Sequence, residues 1–353
     1  MDGIKNIEIS NFRGINHLKV EDFARVNILV GQNNCGKSTV LEALMFVTGM
    51  SNPFLPQNIN SMRSRNAFIG LDAFKYLFHN MNMRQRPIIS ADQFNDDRRE
   101  VSLSMVYKPT NGNSQETTMM RSETKEYLNT IVLDFCVNTE RYQSHVTFNQ
   151  NGVVANHYIP EEYYEILQSF LLSADISSHN PITDLGELVR LQRKNIVVEL
   201  LQKFDSHITT IEIINNEAFL GYDGIKELMS VNMSGDGMRR YLNIVVSAAN
   251  PKNNIILIDE IDNGLHYSAY KKLWEAIFAL AVSTNKQIFV TTHSKETLQK
   301  LNEMLEEHAD YRSEMALYTL EQTKLKGHQA YRLPYEGLAE ACKNNVEIRS
   351  IAL

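Results

Sequence analysis

GQNNCGKST, from Gly31 to Thr39, is the stretch on which the reading of this chain turns. It fits the pattern G-x-x-x-x-G-K-[ST], with Gly31, Gly36, Lys37 and Ser38 at the fixed positions and Asn33, Asn34, Cys35 and Thr39 completing the loop. Before it, ARVNILV (24–30) reads as a short apolar strand; after it, TVLEALMFV places Val40, Leu41, Leu44 and Met45 at helical spacing. Strand, glycine loop and helix is the context that gives such a motif meaning. Glycines let backbone N–H groups turn inward around a β-phosphate, and the helix N-terminus adds a favourable dipole. Lys37 would bring positive charge to the β- and γ-phosphates of ATP, and the Ser38 hydroxyl is of the type that ligates Mg²⁺.

The surrounding composition fits a globular chain. It has 353 residues, 43% hydrophobic and 22% charged, which suits one domain with inserted lobes. A formal net charge of -7 gives no push toward nucleic acid as a default partner. Cys35, Cys136 and Cys342 lie far apart and form no metal-ligand spacing, so a reducing cytoplasm is the expected compartment. No apolar run approaches about 18 residues and the opening MDGIKNIEISNF has no apolar signal core, so no membrane span is expected.

Patterning along the chain predicts an α/β fold. IKNIEISNF (4–12) alternates as a strand, Arg13-Gly14 turns, and INHLKVEDF forms the hairpin's second strand. Residues 51–100 read as irregular, with Pro53 and Pro56 breaking the helix. Residues 101–159 read as strands, with Asn111-Gly112-Asn113 and Asn151-Gly152 as turn signals. Helices are predicted over 161–204, from EEYYEILQSFLL onward, and strands over 208–232. IILID (255–259) and QIFVTT (287–292) have the continuous apolar character of parallel strands, and MALYTL (315–320) reads as one more.

Four late stretches complete what the loop begins. IILIDE ends an apolar strand in two acids: Asp259 is placed to hold Mg²⁺ and Glu260 to orient or activate the attacking water. TTHS (291–294) ends another strand at His293, which suits a hydrogen bond to the γ-phosphate or the water. MSGDGMRR (233–240) is a Ser-Gly-x-Gly turn entering a helix, a second anion-holding element. Either both elements grip one nucleotide within the chain, or each serves half of a site shared by two chains. IDNGLH (261–266) is a turn by composition.

In order and spacing the chain resembles the ABC-type ATPases of the RecF, SMC and OLD group, and within it the stand-alone OLD-like AAA-family ATPases. The resemblance implies a P-loop NTPase of ABC-ATPase type across 1–353. Its mixed sheet would carry an antiparallel β lobe and an inserted helical lobe within 51–230, with the signature, Asp-Glu strand and switch histidine in 231–353. ISNFRG (9–14) looks like the group's N-terminal strand, whose arginine lies near the nucleotide; that role passes to Arg13. The family logic implies a homodimer or higher homo-oligomer in which Ser234, Gly235 and Gly237 of one subunit, with Asn263 of the contact loop, reach the γ-phosphate held by the other. For the glutamine that links Mg²⁺ to the insert, Gln85, Gln93, His79 and Asn80 are the candidates. The short stretch after His293 gives no expectation of a nuclease domain, so the function expected is an ATP-hydrolysing switch gating a separate effector, a nuclease or toxin in phage defence. The alternative is a RecF-like, ATP-dependent DNA-binding repair protein, with Arg63, Arg65, Arg84, Arg86, Arg98 and Arg99 as its candidate surface.

Overall fold

The computed structural model describes residues 2–63, 71–107, 128–148, 154–173 and 181–349. The turn signals at 111–113 and 151–152, and Arg65, lie outside them. Strand β1 (Ile4–Phe12) pairs antiparallel with β2 (Ile15–Val20), as the alternation predicts. The chain then enters β3 (Val26–Gly31), buried at every position, and helix α1 (Lys37–Thr48). Next comes α2 (Leu55–Arg63). Pro56 is its second residue rather than a breaker: in a first turn the missing N–H has no partner to lose.

An antiparallel lobe follows: β4 (Ile88–Gln93), β5 (Arg98–Tyr107), β6 (Leu128–Val137), β7 (Glu140–Phe148) and β8 (Val154–Tyr158). Together with the first hairpin they form a seven-stranded sheet in the order β2-β1-β4-β5-β6-β7-β8. EEYYEILQSFLL, expected to be helical, instead ends in β9 (Ser169–Leu172). Its partner explains this. The strand β13 (Ile255–Ile258) has an open ladder on that side, and Ser169 to Leu172 fill it in parallel register with Ile255 to Ile258. Pairing outweighs local helical periodicity here. Helices α3 (Ile182–Arg190) and α4 (Lys194–Phe204) are separated at Gln192, whose φ is 57°. Strands β10 (Ile208–Ile214), β11 (Glu217–Tyr222) and β12 (Met229–Ser230) form a small antiparallel sheet before α5 (Asp236–Ala249).

After β13 come α6 (Tyr270–Ser283), β14 (Gln287–Thr291), α7 (Lys295–Glu307), β15 (Met315–Thr323), β16 (Gly327–Leu333) and α8 (Tyr335–Lys343). The sheet that carries the phosphate loop runs β16-β15-β3-β14-β13-β9, parallel throughout except for the β16 edge. Strand alternation divides the core between its faces. Ile256 and Ile258 face the cluster built with α5 to α7, whereas Ile255 and Leu257 face α1 and the antiparallel lobe. No helix among the described residues is long and apolar enough to cross a membrane.

Candidate nucleotide-binding site

Two glycines shape the loop. Gly31 has φ 152°, and a Cβ there would lie 2.4 Å from the Leu320 carbonyl oxygen and 2.5 Å from Cys35 Sγ. Gly36, at φ 97°, is the N-cap of α1, with no side chain capping it and no acid in the first turn. The first N–H groups of α1 are therefore not claimed by a capping side chain, and the helix dipole is unopposed. Lys37 Nζ donates to the carbonyl oxygens of Gly31 at 2.9 Å and Gln32 at 2.8 Å. The Cys35 side chain is buried beneath the loop, and burial raises its thiol pKa.

Asp259 follows β13 directly. Its Oδ1 accepts from Ser38 Oγ at 3.0 Å and from Thr291 Oγ1 at 2.6 Å. Thr291 in turn accepts from the Glu260 backbone N–H at 2.8 Å. Glu260 sits in the left-handed region at φ 47°. Beneath it, Arg240 of α5, 1% exposed, donates to the carbonyls of Asp259 at 2.6 Å and Glu260 at 3.3 Å, and also to that of Ser173. His293 Nδ1 lies 4.0 Å from Glu260 Oε1, both side chains half-exposed.

A buried carboxylate anchors the opposite wall. Glu42 of α1, 4% exposed, pairs with Arg13 Nε at 2.6 Å and Arg63 Nε at 2.5 Å. Burial lowers the Arg13 pKa to about 10 against the opposing charge of Glu42. Burial also pulls on Arg63, but Glu42 and, more weakly, Asp259 outweigh it and raise its pKa. The cleft so formed has a volume of about 780 Å³. Arg13, Asn33, Asn34, Gly36, Lys37, Ser38, Thr39, Asp259 and Glu260 line it, with Arg63, His79, Asn80, Gln322 and His328. A hydroxyl and a carboxylate 3.0 Å apart, beside an uncapped helix N-terminus, are a donor pair that fits Mg²⁺.

Residues 26–298 match the family described as "AAA domain, putative AbiEii toxin, Type IV TA system". The chain belongs to this AAA-domain family. It is an ATPase, and its mixed-sheet fold is that of the ABC-type heads. Among known proteins it is 23% identical, over 346 residues, to an ATP/GTP phosphatase of Helicobacter pylori, covering 90% of this chain and 92% of that one. A 41-residue stretch is 54% identical to an uncharacterized protein of Methanocaldococcus jannaschii, covering 12% of this chain and 19% of that one. In fold it is similar to an SMC head bound to the C-winged helix domain of ScpA, with TM-score 0.50 and 14% identity over 94% of this chain and 98% of the other.

Within one copy of this AAA-family chain the expected site residues fall into two groups. The phosphate loop, Arg13, Asp259 and Glu260 converge on the cleft, with Gly31 and Cys35 behind the loop. Ser234, Gly235, Gly237 and Asn263 do not line it, and neither does His293, which reaches its edge only through the 4.0 Å approach to Glu260. A Cβ on Gly237 would lie 3.4 Å from Leu265 and 3.8 Å from the Gly264 carbonyl, so the first turn of α5 abuts the IDNGLH loop. Of the four candidates for the insert link, His79 and Asn80 line the cleft, joined by a 3.1 Å contact between their side chains. Gln93 is buried in β4, and Gln85 is exposed away from the cleft.

Of the insert arginines expected on a nucleic-acid face, Arg84, Arg86 and Arg98 are on the surface, whereas Arg99 is not. Arg99 is fully buried: its Nε donates to the Val47 carbonyl at 2.7 Å and its NH2 to Tyr163 Oη at 3.1 Å, with Glu165 as ion-pair partner. Arg63 is held by Glu42, and Arg98 pairs with Asp92. Glu42, Gln322 and His328 were not singled out by sequence reasoning, and Arg63 only as part of the candidate basic surface rather than of this cleft. Glu42 alone left a signal, an acid on an otherwise apolar stretch of α1.

Proposed function

We propose that this ATPase is a dimeric switch that ATP closes and hydrolysis opens, gating a separate effector protein. The observation that carries the reading is the division just described. One element that suits a phosphate lines the cleft, while a second, the Ser234-Gly235 turn, lies outside it. Two copies related by a twofold axis would let the turn of each meet the cleft of the other. In this scheme Lys37 leaves the loop carbonyls for the β- and γ-phosphates. Ser38 and Asp259 would hold Mg²⁺, which supplies charge neutralisation on those phosphates. Glu260 orients a water for in-line attack on the γ-phosphorus and takes its proton as the bond to the β–γ bridging oxygen breaks. His293 donates to the γ-phosphate. Ser234, Gly235 and Gly237 of the second copy cover it, with Asn263 at the seam.

An effector is suggested by the family's description, which names a toxin–antitoxin system, and by the SMC head, which binds a winged-helix domain of another protein. Three free cysteines suit a cytoplasmic setting. The test is the mass of Glu260→Gln in solution with ATP and Mg²⁺, beside the same variant carrying Ser234→Arg. We expect a dimer in the first and a monomer in the second. A monomer in both, or an ATP-independent dimer indifferent to Ser234→Arg, overturns the switch.

A further inference from the structure

We infer that His328, with Gln322 beside it, forms the nucleoside end of the cleft and hydrogen-bonds a ribose hydroxyl of the bound nucleotide; the inference rests on reading the cleft as an ATP site.

Sheet order gives the direction. β3, which delivers the phosphate loop, lies between β14 and β15. Asp259 and Glu260, at the end of β13, lie two strands to one side, and hydrolysis places the terminal phosphate there. A triphosphate crossing the loop must carry its nucleoside toward the other side, over β15 and β16. Gln322 and His328 stand there as a cross-strand pair, and both line the cleft. From β13 to β16 is four strand spacings, roughly 19 Å.

His328 has the chemistry of a receptor for a hydroxyl. It is 5% exposed, yet its ring faces the cleft, with Cδ2 3.6 Å from where a Cβ on Gly36 would lie. Among the described residues its ring makes no hydrogen bond. An imidazole that lines the cleft with no protein partner for its nitrogens is open to a ligand or water there. Burial, and then the nearby His79, lower its pKa and favour the neutral ring. A neutral imidazole offers one N–H donor and one acceptor nitrogen. Phosphate oxygens accept only, so they would leave the acceptor nitrogen unmatched. A ribose hydroxyl both donates and accepts, and the exposed Gln322 amide beside it offers the same pair of functions.

The experiment is direct binding of ATP, 2′-deoxy-ATP, 3′-deoxy-ATP and inorganic tripolyphosphate to the parent chain, His328→Ala and Gln322→Ala. We expect His328→Ala to weaken ATP by about tenfold while leaving tripolyphosphate unchanged. Loss of one ribose hydroxyl should weaken binding to the parent by a similar factor and leave binding to His328→Ala unaffected. Equal losses for ATP and tripolyphosphate would mean that His328 touches phosphate or props the loop, and would overturn the inference. So would a parent that binds ATP and both deoxy forms equally. If His328→Ala does not fold, Gln322→Ala, an exposed change, decides: a selective loss for ATP over tripolyphosphate supports the subsite, and no selective loss overturns it. A parent that binds neither ATP nor tripolyphosphate overturns the ATP-site reading itself.

Discussion

Arg240 donates a hydrogen bond to the carbonyl oxygen of Asp259 across 2.6 Å, from a side chain that is 1% exposed. The same guanidinium reaches the Glu260 carbonyl, so a helix that starts at the signature turn holds the backbone on which the two acids stand. Glu260 has φ 47°, a region that costs a non-glycine residue energy unless its surroundings enforce it. Replacing the arginine should free that backbone. Arg240→Met is expected to lower the folding free energy by about 2–3 kcal/mol, since it orphans buried carbonyls that a charged donor had satisfied. It should cut turnover about 10- to 100-fold through misplacement of Glu260, with ATP affinity nearly unchanged. Urea unfolding and steady-state kinetics beside ATP titration check this. Affinity that falls in step with turnover would place the arginine's effect on the phosphate loop instead.

Lys37 and Glu260 should separate binding from chemistry. Lys37 is the cation that bonds the loop's own carbonyls, and Lys37→Ala is expected to abolish measurable ATP binding. Glu260→Gln keeps the shape and removes the carboxylate proposed as the base, so it should bind ATP and turn over about 10²- to 10⁴-fold more slowly. Equilibrium binding and phosphate release distinguish the two. A Glu260→Gln chain that hydrolyses ATP at the parent rate would remove the glutamate from the chemistry.

Gly31 is fixed by space as well as by backbone angle. An added Cβ would meet the Leu320 carbonyl, a backbone atom that cannot swing away, at 2.4 Å. Gly31→Ala should therefore cost about 1–3 kcal/mol by overpacking. Gly14, with nothing within 4 Å of its Cβ position, supplies the control: Gly14→Ala should stay within about 0.5 kcal/mol of the parent. Comparable melting temperatures for the two variants would contradict the close approach.

Lys286 gives the fold a pH signature unconnected with nucleotide. It is 5% exposed and donates to the Asn250 carbonyl. Burial lowers its pKa from 10.5 to about 8, with Asp184 opposing the shift and Arg193 adding to it. Between those values the unfolded chain binds more protons than the folded one, so this group's contribution rises with pH. The contribution is complete above 10.5 and is lost as pH falls through about 8. Denaturant titrations of the parent and Lys286→Met at pH 7, 8, 9 and 10 should show the parent gaining on the variant as pH rises. A gap that stays constant across the series would mean that Lys286 is solvated.

Much of this architecture can be read in the chain because its signals are local. The phosphate loop needs nine consecutive residues, and β3, β13 and β14 are apolar runs that only a buried strand explains. What the sequence hides depends on distant partners. Ser169 to Leu172 join a helical-looking stretch yet form a strand because β13 offers an unpaired ladder. Arg99 looks like part of a basic run, but Glu165 and the end of α1 enclose it. His328 is one residue of an edge strand, and only the β15–β16 pairing brings it over the loop.

Sharing of the site between copies can be tested by mixing two dead variants. Lys37→Ala lacks a working phosphate loop but keeps its signature turn; Ser234→Arg has the reverse defect. If each site is built from one chain's loop and the other's turn, every mixed dimer regains one intact site and each parental dimer has none. Only a mixed pair carries an intact site, one of its two, so ATPase should reappear on mixing and reach at most about half of the parent rate. The mixture should show this while each variant alone stays inactive. If loop and turn instead served the same nucleotide within one chain, no pairing could join a good loop to a good turn, and the mixture would stay as inactive as its components. Recovery on mixing therefore requires the turn at Ser234 to act on a phosphate held by the partner's Lys37.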